Sequence, residues 1–235
     1  MRFEARWCWQ GYFDLSSRGR RETTTRAIRD ELTQRLGQGA QKLQIAQYPV
    51  GPQFKHTFWW REGDRDYAEA QFFARVSGDH PVLSLGVSIE KGLEDLSGIA
   101  ATRQGAYRMD RRSWDWPKLL KRAGQLLTED VRTSAKKCDR PVCIRIVSHQ
   151  PSLDEVRRHS RTFVLFQDRW FERHVGTSDT KKVTAYLGEV DKRRDSWVVV
   201  YIGCELSPTE VEGMEPEQVA DALMCFANVR ERLHK

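Results

Sequence analysis

The stretch that decides the fold class is residues 82–90, which read Val82-Leu83-Ser84-Leu85-Gly86-Val87-Ser88-Ile89-Glu90. Aliphatic residues alternate here with small or polar ones, so an extended chain would turn every second side chain to the same side. One face of such a strand is apolar, and the other carries serine, glycine and glutamate. This alternation is typical of an antiparallel sheet that lays one face on a core and leaves the other open or lightly covered.

The same kind of pattern extends outward from this stretch in both directions. Alternating residues predict further strands at about 2–13, 41–48, 54–62, 66–76, 141–148, 162–174, 182–190 and 197–206. Apolar residues at three- and four-residue spacing, together with capping residues, predict helices at about 23–37, 114–135, 152–160 and from 215 onward. The short helix at 152–160 depends on a Ser-x-x-Glu capping box, Ser152 to Glu155.

The element order suggests two similar halves. Residues 136–140 (Lys-Lys-Cys-Asp-Arg) are the best linker candidate, which divides the chain into 1–135 and 136–235. The halves read β-α-β-β-β-β-α and β-α-β-β-β-α, so we expect an α+β fold with a mainly antiparallel sheet and strand meanders closed by helices. Internal duplication and chance repetition both remain open as explanations. We expect the halves to pack as one globular unit.

Composition and charge favour an anionic partner. The 235 residues include 39 Lys and Arg against 33 Asp and Glu, a formal net charge of +6, and the isoelectric point is about 9.1. A chain of this length buries a core without covalent or metal support, and its basic balance is typical of proteins that meet polyanions. The five cysteines include no CxxC pair, so neither disulfides nor a zinc site is expected.

Cellular location is inferred from the absence of recognisable targeting segments. The first ten residues contain no apolar core of a signal peptide, and no apolar run approaches the length of a transmembrane helix. We therefore expect a cytoplasmic protein without membrane contact.

The leading functional hypothesis is nucleic-acid binding by basic loops and an aromatic, basic sheet face, with no catalysis and no cofactor. Arginine beside exposed aromatic rings would suit phosphate pairing and base stacking. The alternative for the same residues is that helices cover both faces of the sheet, which would make Trp59 and Phe73 ordinary core. The candidate binding residues are Lys55, Trp59, Arg61, Phe73, Arg75, Arg108, Arg111, Arg112, Lys192, Arg193 and Arg194.

A second hypothesis is a metal-dependent nuclease or phosphoryl-transfer enzyme. Glu69 and Glu90 alternate onto one face, Asp79 lies in the turn between their strands, and Lys91 follows Glu90. Carboxylates held on strands can bind Mg²⁺, and a nearby lysine can position the attacking water. The layout is similar to that of PD-(D/E)xK nucleases, but the sequence departs from their motif because Glu90-Lys91 lacks the intervening residue and no Pro-Asp precedes it.

A third hypothesis is a protein-interaction subunit of a larger complex or a homo-oligomer. In that case the C-terminal helix would dock a partner through apolar residues such as Phe226 and Leu233.

Overall fold

The sheet and helices were analysed in a computed structural model that describes residues 18–37, 43–50, 55–61, 70–76, 82–95, 115–151, 156–211 and 214–235. Its strands are β1 (Gln44–Val50), β2 (Lys55–Arg61), β3 (Gln71–Val76), β4 (Leu83–Lys91), β5 (Val142–Pro151), β6 (Val156–Phe166), β7 (Arg169–Glu172), β8 (Gly176–Ser178) and β9 (Trp197–Leu206). Its helices are α1 (Arg18–Leu36), α2 (Trp116–Gln125), α3 (Val131–Cys138), α4 (Thr180–Asp191), α5 (Pro208–Val211), α6 (Pro216–Met224) and α7 (Ala227–His234), with a π-helical turn, Leu126–Asp130, between α2 and α3. The predicted strand at 2–13 lies outside the described residues.

The described strands form one sheet in the order β1-β2-β3-β4-β9-β5-β6-β7-β8. Each neighbouring pair is antiparallel. The predicted fold class, α+β with a mainly antiparallel sheet, is therefore confirmed. The last strand of the chain, β9, is inserted between β4 and β5, so the sheet is continuous from one half of the sequence to the other.

The core lies on the face of the sheet that carries Leu83, Leu85, Val87 and Ile89, which we call the first face. These residues belong to one buried cluster, to which every described helix contributes side chains. The burial follows from the alternation in the sequence, because β4 turns its aliphatic residues to this side and each helix turns its apolar stripe toward them. The opposite side, with Ser84, Gly86, Ser88 and Glu90, is the second face.

Two predicted elements in the second half are wrong. Residues 156–160 belong to β6, where Val156 pairs with Pro151, so the helix predicted from the capping box does not extend through them. Residues 180–191 are the helix α4 and not a strand. The second half therefore runs through four strands before α4 and β9, which differs from the predicted order, and the duplication remains a prediction.

The predicted strand at 162–174 contains a tight turn. Gln167 and Asp168 both have positive φ, 48° and 61°, and they join Phe166 of β6 to Arg169 of β7. Two consecutive positive φ angles are the geometry that closes a two-residue hairpin, but asparagine and glycine are the usual residues there. The sequence signal for this turn was therefore weak.

The predicted linker is mostly helical. Lys136, Lys137 and Cys138 form the last turn of α3, and Asp139 ends that helix with a left-handed conformation. The C-terminal helix is broken at Cys225–Phe226 into α6 and α7. Its predicted apolar face is fully buried, with Phe226 and Leu233 both 0 % exposed.

Cys138, Cys143, Cys204 and Cys225 are free thiols, as the sequence predicts for these positions. None of the described helices is long and apolar enough to cross a membrane.

Candidate functional site

A pair of glycines interrupts the second face at the centre of the sheet. Gly86 in β4 and Gly203 in β9 are register partners. A Cβ on Gly86 would lie 2.1 Å from the carbonyl oxygen of Ile202, so the two backbones approach too closely for a side chain. Above them lies a cavity of about 20 Å³, whose lining includes Phe73, Arg75, Ser84, Arg145, Tyr201 and Glu205. We call it the arginine cavity.

Two arginines of the arginine cavity lack ion-pair partners among the described residues. Arg75 on β3 is only 6 % exposed, and Arg145 on β5 is partly buried. In the part of the chain that the structure describes, neither Nε atom has a hydrogen-bond partner. The guanidinium carbon of Arg75 lies 5.1 Å from the centre of the Tyr201 ring. The Glu205 carboxylate lies in the same lining without pairing directly with either arginine, and burying a cation without a direct partner is unfavourable.

The guanidinium groups around the cavity repel one another. Burial, followed by the positive charges of Arg75 and Arg158, lowers the pKa of Arg145 to about 10. Arg145 is still protonated at neutral pH, so the cost of holding these charges together is present in the folded protein. A bound anion would relieve that repulsion.

Three further polar side chains line the arginine cavity: Glu205, Tyr201 and Cys143. Glu205 is held by Arg173, whose Nη2 lies 2.6 Å from a carboxylate oxygen, and this hydrogen bond raises the pKa of Arg173. Burial raises the pKa of Tyr201, so its phenol keeps its proton. Burial also raises the pKa of Cys143 to about 12, which leaves a thiol and not the reactive thiolate.

A second group of cations lies around the end of α4. We call it the basic end, formed by residues 192–194 of the loop after α4 and by Arg161 of β6. Arg161 and Arg193 both act electrostatically on Tyr186 of α4. The side chain of Gln150, at the end of β5, donates to the carboxylate of Asp195 and so ties the loop to the sheet.

Acidic residues partly balance the basic end. Arg193 pairs with Glu189. Arg161 lies 3.6 Å from Glu172, and its guanidinium carbon lies 4.4 Å from the centre of the Tyr186 ring. Lys192 is exposed, and Arg194 is 72 % exposed and 3.7 Å from Glu94. Lys192 and Arg194 are thus the most accessible cations of the loop.

The predicted stacking surface is not open. Trp59 is 6 % exposed and Phe73 is 1 % exposed. Trp59 donates from Nε1 to the Ser88 hydroxyl at 3.0 Å, and Phe73 meets the Tyr201 ring edge-on with 4.9 Å between ring centres. The second face is therefore closed to solvent at Trp59 and Phe73, and these two rings cannot stack bases from solvent.

The other predicted binding residues are only partly described. Lys55 and Arg61 belong to β2, but their side chains lie outside the described part of the structure, as do Arg108, Arg111 and Arg112. Of the predicted set, the structure brings Arg75 into the arginine cavity and residues 192–194 to the basic end.

Two residues of the nuclease hypothesis, Glu90 and Lys91, are described and are buried in the fold. Lys91 is 0 % exposed; its Nζ donates to the carbonyl oxygens of Asp191 and Arg193, the latter at 3.0 Å. It therefore fastens the loop after α4 to β4. Glu90 is 3 % exposed, and Glu69 and Asp79 lie outside the described residues. Within the described ranges, no group of three His, Cys, Asp or Glu side chains could hold a metal ion.

Sequence reasoning did not identify Arg145, Tyr201 or Glu205 as site residues. A signal was present in Ile144-Arg145-Ile146, where a charged residue interrupts an apolar strand. Its meaning depends on the strand order, because Arg145 reaches the cavity only through the pairing of β5 with β9, in which it lies opposite Tyr201.

Comparison with protein-family models, with curated proteins and with solved structures gave no match for this chain.

Proposed function

We propose that the protein binds nucleic acid through phosphate contacts made by the basic end, without catalysis of its own. The observation that supports this most directly is that Arg161 of β6 and Arg193 of the loop after α4 both lie near Tyr186, with Lys192 and Arg194 exposed in the same loop. Lysine and arginine side chains gathered in this way attract a phosphate backbone whatever its base sequence.

The burial of Trp59 and Phe73 removes base stacking on these two rings from the proposal. The proposed binding therefore depends on phosphate contacts. We therefore expect weak discrimination among base sequences and a strong dependence on salt.

Neither alternative function gains a specific observation in its favour. Lys91 is occupied by backbone carbonyl oxygens, which removes it from the role of a water-positioning lysine. Phe226 and Leu233 are buried within the chain, so they are not available to dock a partner. No cofactor is part of the proposal.

The proposal is tested by the affinity of the full chain for single- and double-stranded DNA and RNA, measured by fluorescence anisotropy at several salt concentrations. The double variant Lys192→Ala/Arg194→Ala should bind more weakly, and its slope of log K against log salt should be smaller by roughly one for each phosphate that the variant no longer binds. Arg132→Ala is the matched control, because Arg132 is 47 % exposed and pairs with Asp168 in the β6–β7 turn, away from the basic end. Binding that is absent for every nucleic acid, or that does not depend on salt, would contradict the proposal.

A further inference from the structure

We propose that the arginine cavity is a binding site for a phosphate monoester group. This inference goes beyond nucleic-acid binding at the basic end and does not depend on it. It rests on the geometry around Gly86 and Gly203, where two guanidinium groups on different strands face one small space.

The site has its own structural basis. Arg75 comes from β3 and Arg145 from β5, and β4 and β9 lie between these strands. The long side chains can meet across two strands because the central positions are glycines, which add nothing to the second face. The Tyr201 ring supports Arg75 from the side, at 5.1 Å. Arg75 is therefore held in place before any ligand binds, which lowers the entropic cost of binding.

The charge balance favours a dianion over a single carboxylate. Arg75 and Arg145 line this space, whereas the Glu205 carboxylate in the same lining is already held by Arg173 at 2.6 Å. A phosphate monoester carries up to two negative charges near neutral pH. Its oxygens match the planar, forked donors of arginine.

The size of the cavity limits what enters it. A volume of about 20 Å³ is close to the space that one water molecule needs. A sugar or base ring is too large for it, so only phosphate oxygens would reach Arg75, and the rest of the ligand would remain toward solvent. Inorganic phosphate, a mononucleotide and the terminal phosphate of a nucleic-acid strand share the required group.

Binding of inorganic phosphate to the full chain, measured by isothermal titration calorimetry, tests the site. Arg145→Gln and Arg75→Gln should each weaken binding by about tenfold or more, because each removes charge-assisted hydrogen bonds. Arg132→Gln, at a surface ion pair away from the cavity, should leave the affinity unchanged. Neither arginine is the direct ion-pair partner of a described residue, so both variants should fold, as checked by a cooperative thermal melt in phosphate-free buffer.

A measurement without substitution supplements the variants. Phenylglyoxal modifies accessible arginines, and saturating phosphate should protect Arg145 in the wild-type protein, as read by mass spectrometry, while leaving Arg132 reactive. Absence of saturable phosphate binding would overturn the proposal, as would affinity retained in both cavity variants. Acetate that binds as tightly as phosphate would also overturn it.

Further ligands distinguish the sources of the group. AMP and a pair of oligonucleotides with and without a 5′-phosphate are compared in the wild type, Arg145→Gln and Lys192→Ala/Arg194→Ala. A gain from the 5′-phosphate that Arg145→Gln abolishes indicates a strand terminus, whereas an effect confined to AMP and inorganic phosphate indicates a small molecule. Loss of oligonucleotide binding in the loop variant alone concerns the basic end, so failure of one proposal is separable from failure of the other.

Discussion

Gly86 and Gly203 show how two residues without side chains can shape a sheet surface. Their mutual approach brings the backbones of β4 and β9 close together, and the cavity beside them is lined by both Arg75 and Arg145. The alternation in residues 82–90 predicts that Gly86 lies on the second face. It does not indicate that the partner position on β9 is another glycine.

Gly86→Ala tests this packing. The new methyl carbon would lie 2.1 Å from the carbonyl oxygen of Ile202 and 2.5 Å from the Cα of Gly203, both backbone atoms that cannot rotate away. We expect the free energy of unfolding to fall by about 3 kcal/mol or more, since the two strands must separate. Urea denaturation followed by circular dichroism measures this loss.

Gly188→Ala is the matched control for that variant. Gly188 lies in α4 with nothing within 4 Å of its added Cβ, so alanine should stabilise the helix by about 0.5–1 kcal/mol. A Gly86→Ala protein as stable as the wild type would contradict the close approach of β4 and β9.

At the scale of single elements, α4 and β6 show where local patterns mislead. Val183, Leu187 and Val190 are buried at helical spacing, and the Asp179 side chain accepts from the Lys182 amide at 2.8 Å as an N-cap. Apolar and polar residues also alternate in this segment, as they would in a strand. Only packing on the first face decides between a helix and a strand here. Residues 156–160 pair with β5 along β6, so the helix that the Ser152–Glu155 capping box predicts does not extend through them.

Asp115 joins three elements at the start of α2. Its carboxylate accepts from the Ala70 amide at 2.9 Å, lies 2.9 Å from Nδ1 of His234 at the end of α7, and lies 3.4 Å from Nζ of Lys118. Burial opposes ionisation of this group, but the hydrogen bonds with His234 and the Ala70 amide outweigh it and lower the pKa of Asp115.

Asp115→Ala should lower the free energy of unfolding by about 2–4 kcal/mol at pH 7, because it leaves the Ala70 amide buried without an acceptor. Because the folded-state pKa is lowered, the stability gained from ionised Asp115 is present above its unfolded pKa of about 4 and is lost as the pH falls through the folded value. Urea denaturation at pH 7, 5 and 3 should therefore show the difference between wild type and variant shrinking only at the lowest pH. Asp30→Asn is the control, since Asp30 is 61 % exposed and pairs with the neighbouring Arg29; such a surface pair contributes about 1 kcal/mol or less. An unchanged difference at pH 3 would contradict this role.

At the scale of the whole molecule, the two halves of the chain are interleaved. β9 pairs with β4 on one side and β5 on the other. The end of the chain also returns to the first half, where Lys118 donates to the carbonyl oxygen of His234 at 2.6 Å and the Nε of Arg230 donates to that of Ala70 at 3.2 Å.

Separate expression of residues 1–140 and 141–235 tests this interleaving. Each fragment exposes one edge of the β4–β9 seam and part of the core on the first face, so neither should unfold cooperatively in a thermal melt followed by circular dichroism. Mixing the fragments should restore a cooperative transition. A fragment that melts cooperatively alone would show that the halves are independent folding units.

The sequence by itself determined the fold class, most strand positions and the apolar faces. In residues 82–90 and in the C-terminal helix, residue spacing alone predicts which side chains are buried, because the periods of strands and helices are local properties. The sequence alone also determines the sign of the net charge.

Only the tertiary structure decided which polar residues meet. Arg75 and Arg145 are 70 positions apart in the sequence, and the insertion of β9 between β4 and β5 brings them to one cavity. The same sheet buries Trp59 and Phe73, which alternation alone would place on an open face. The physical reason is that spacing specifies the orientation of a side chain within its own strand, whereas the neighbours that surround it depend on strand order and on long-range packing.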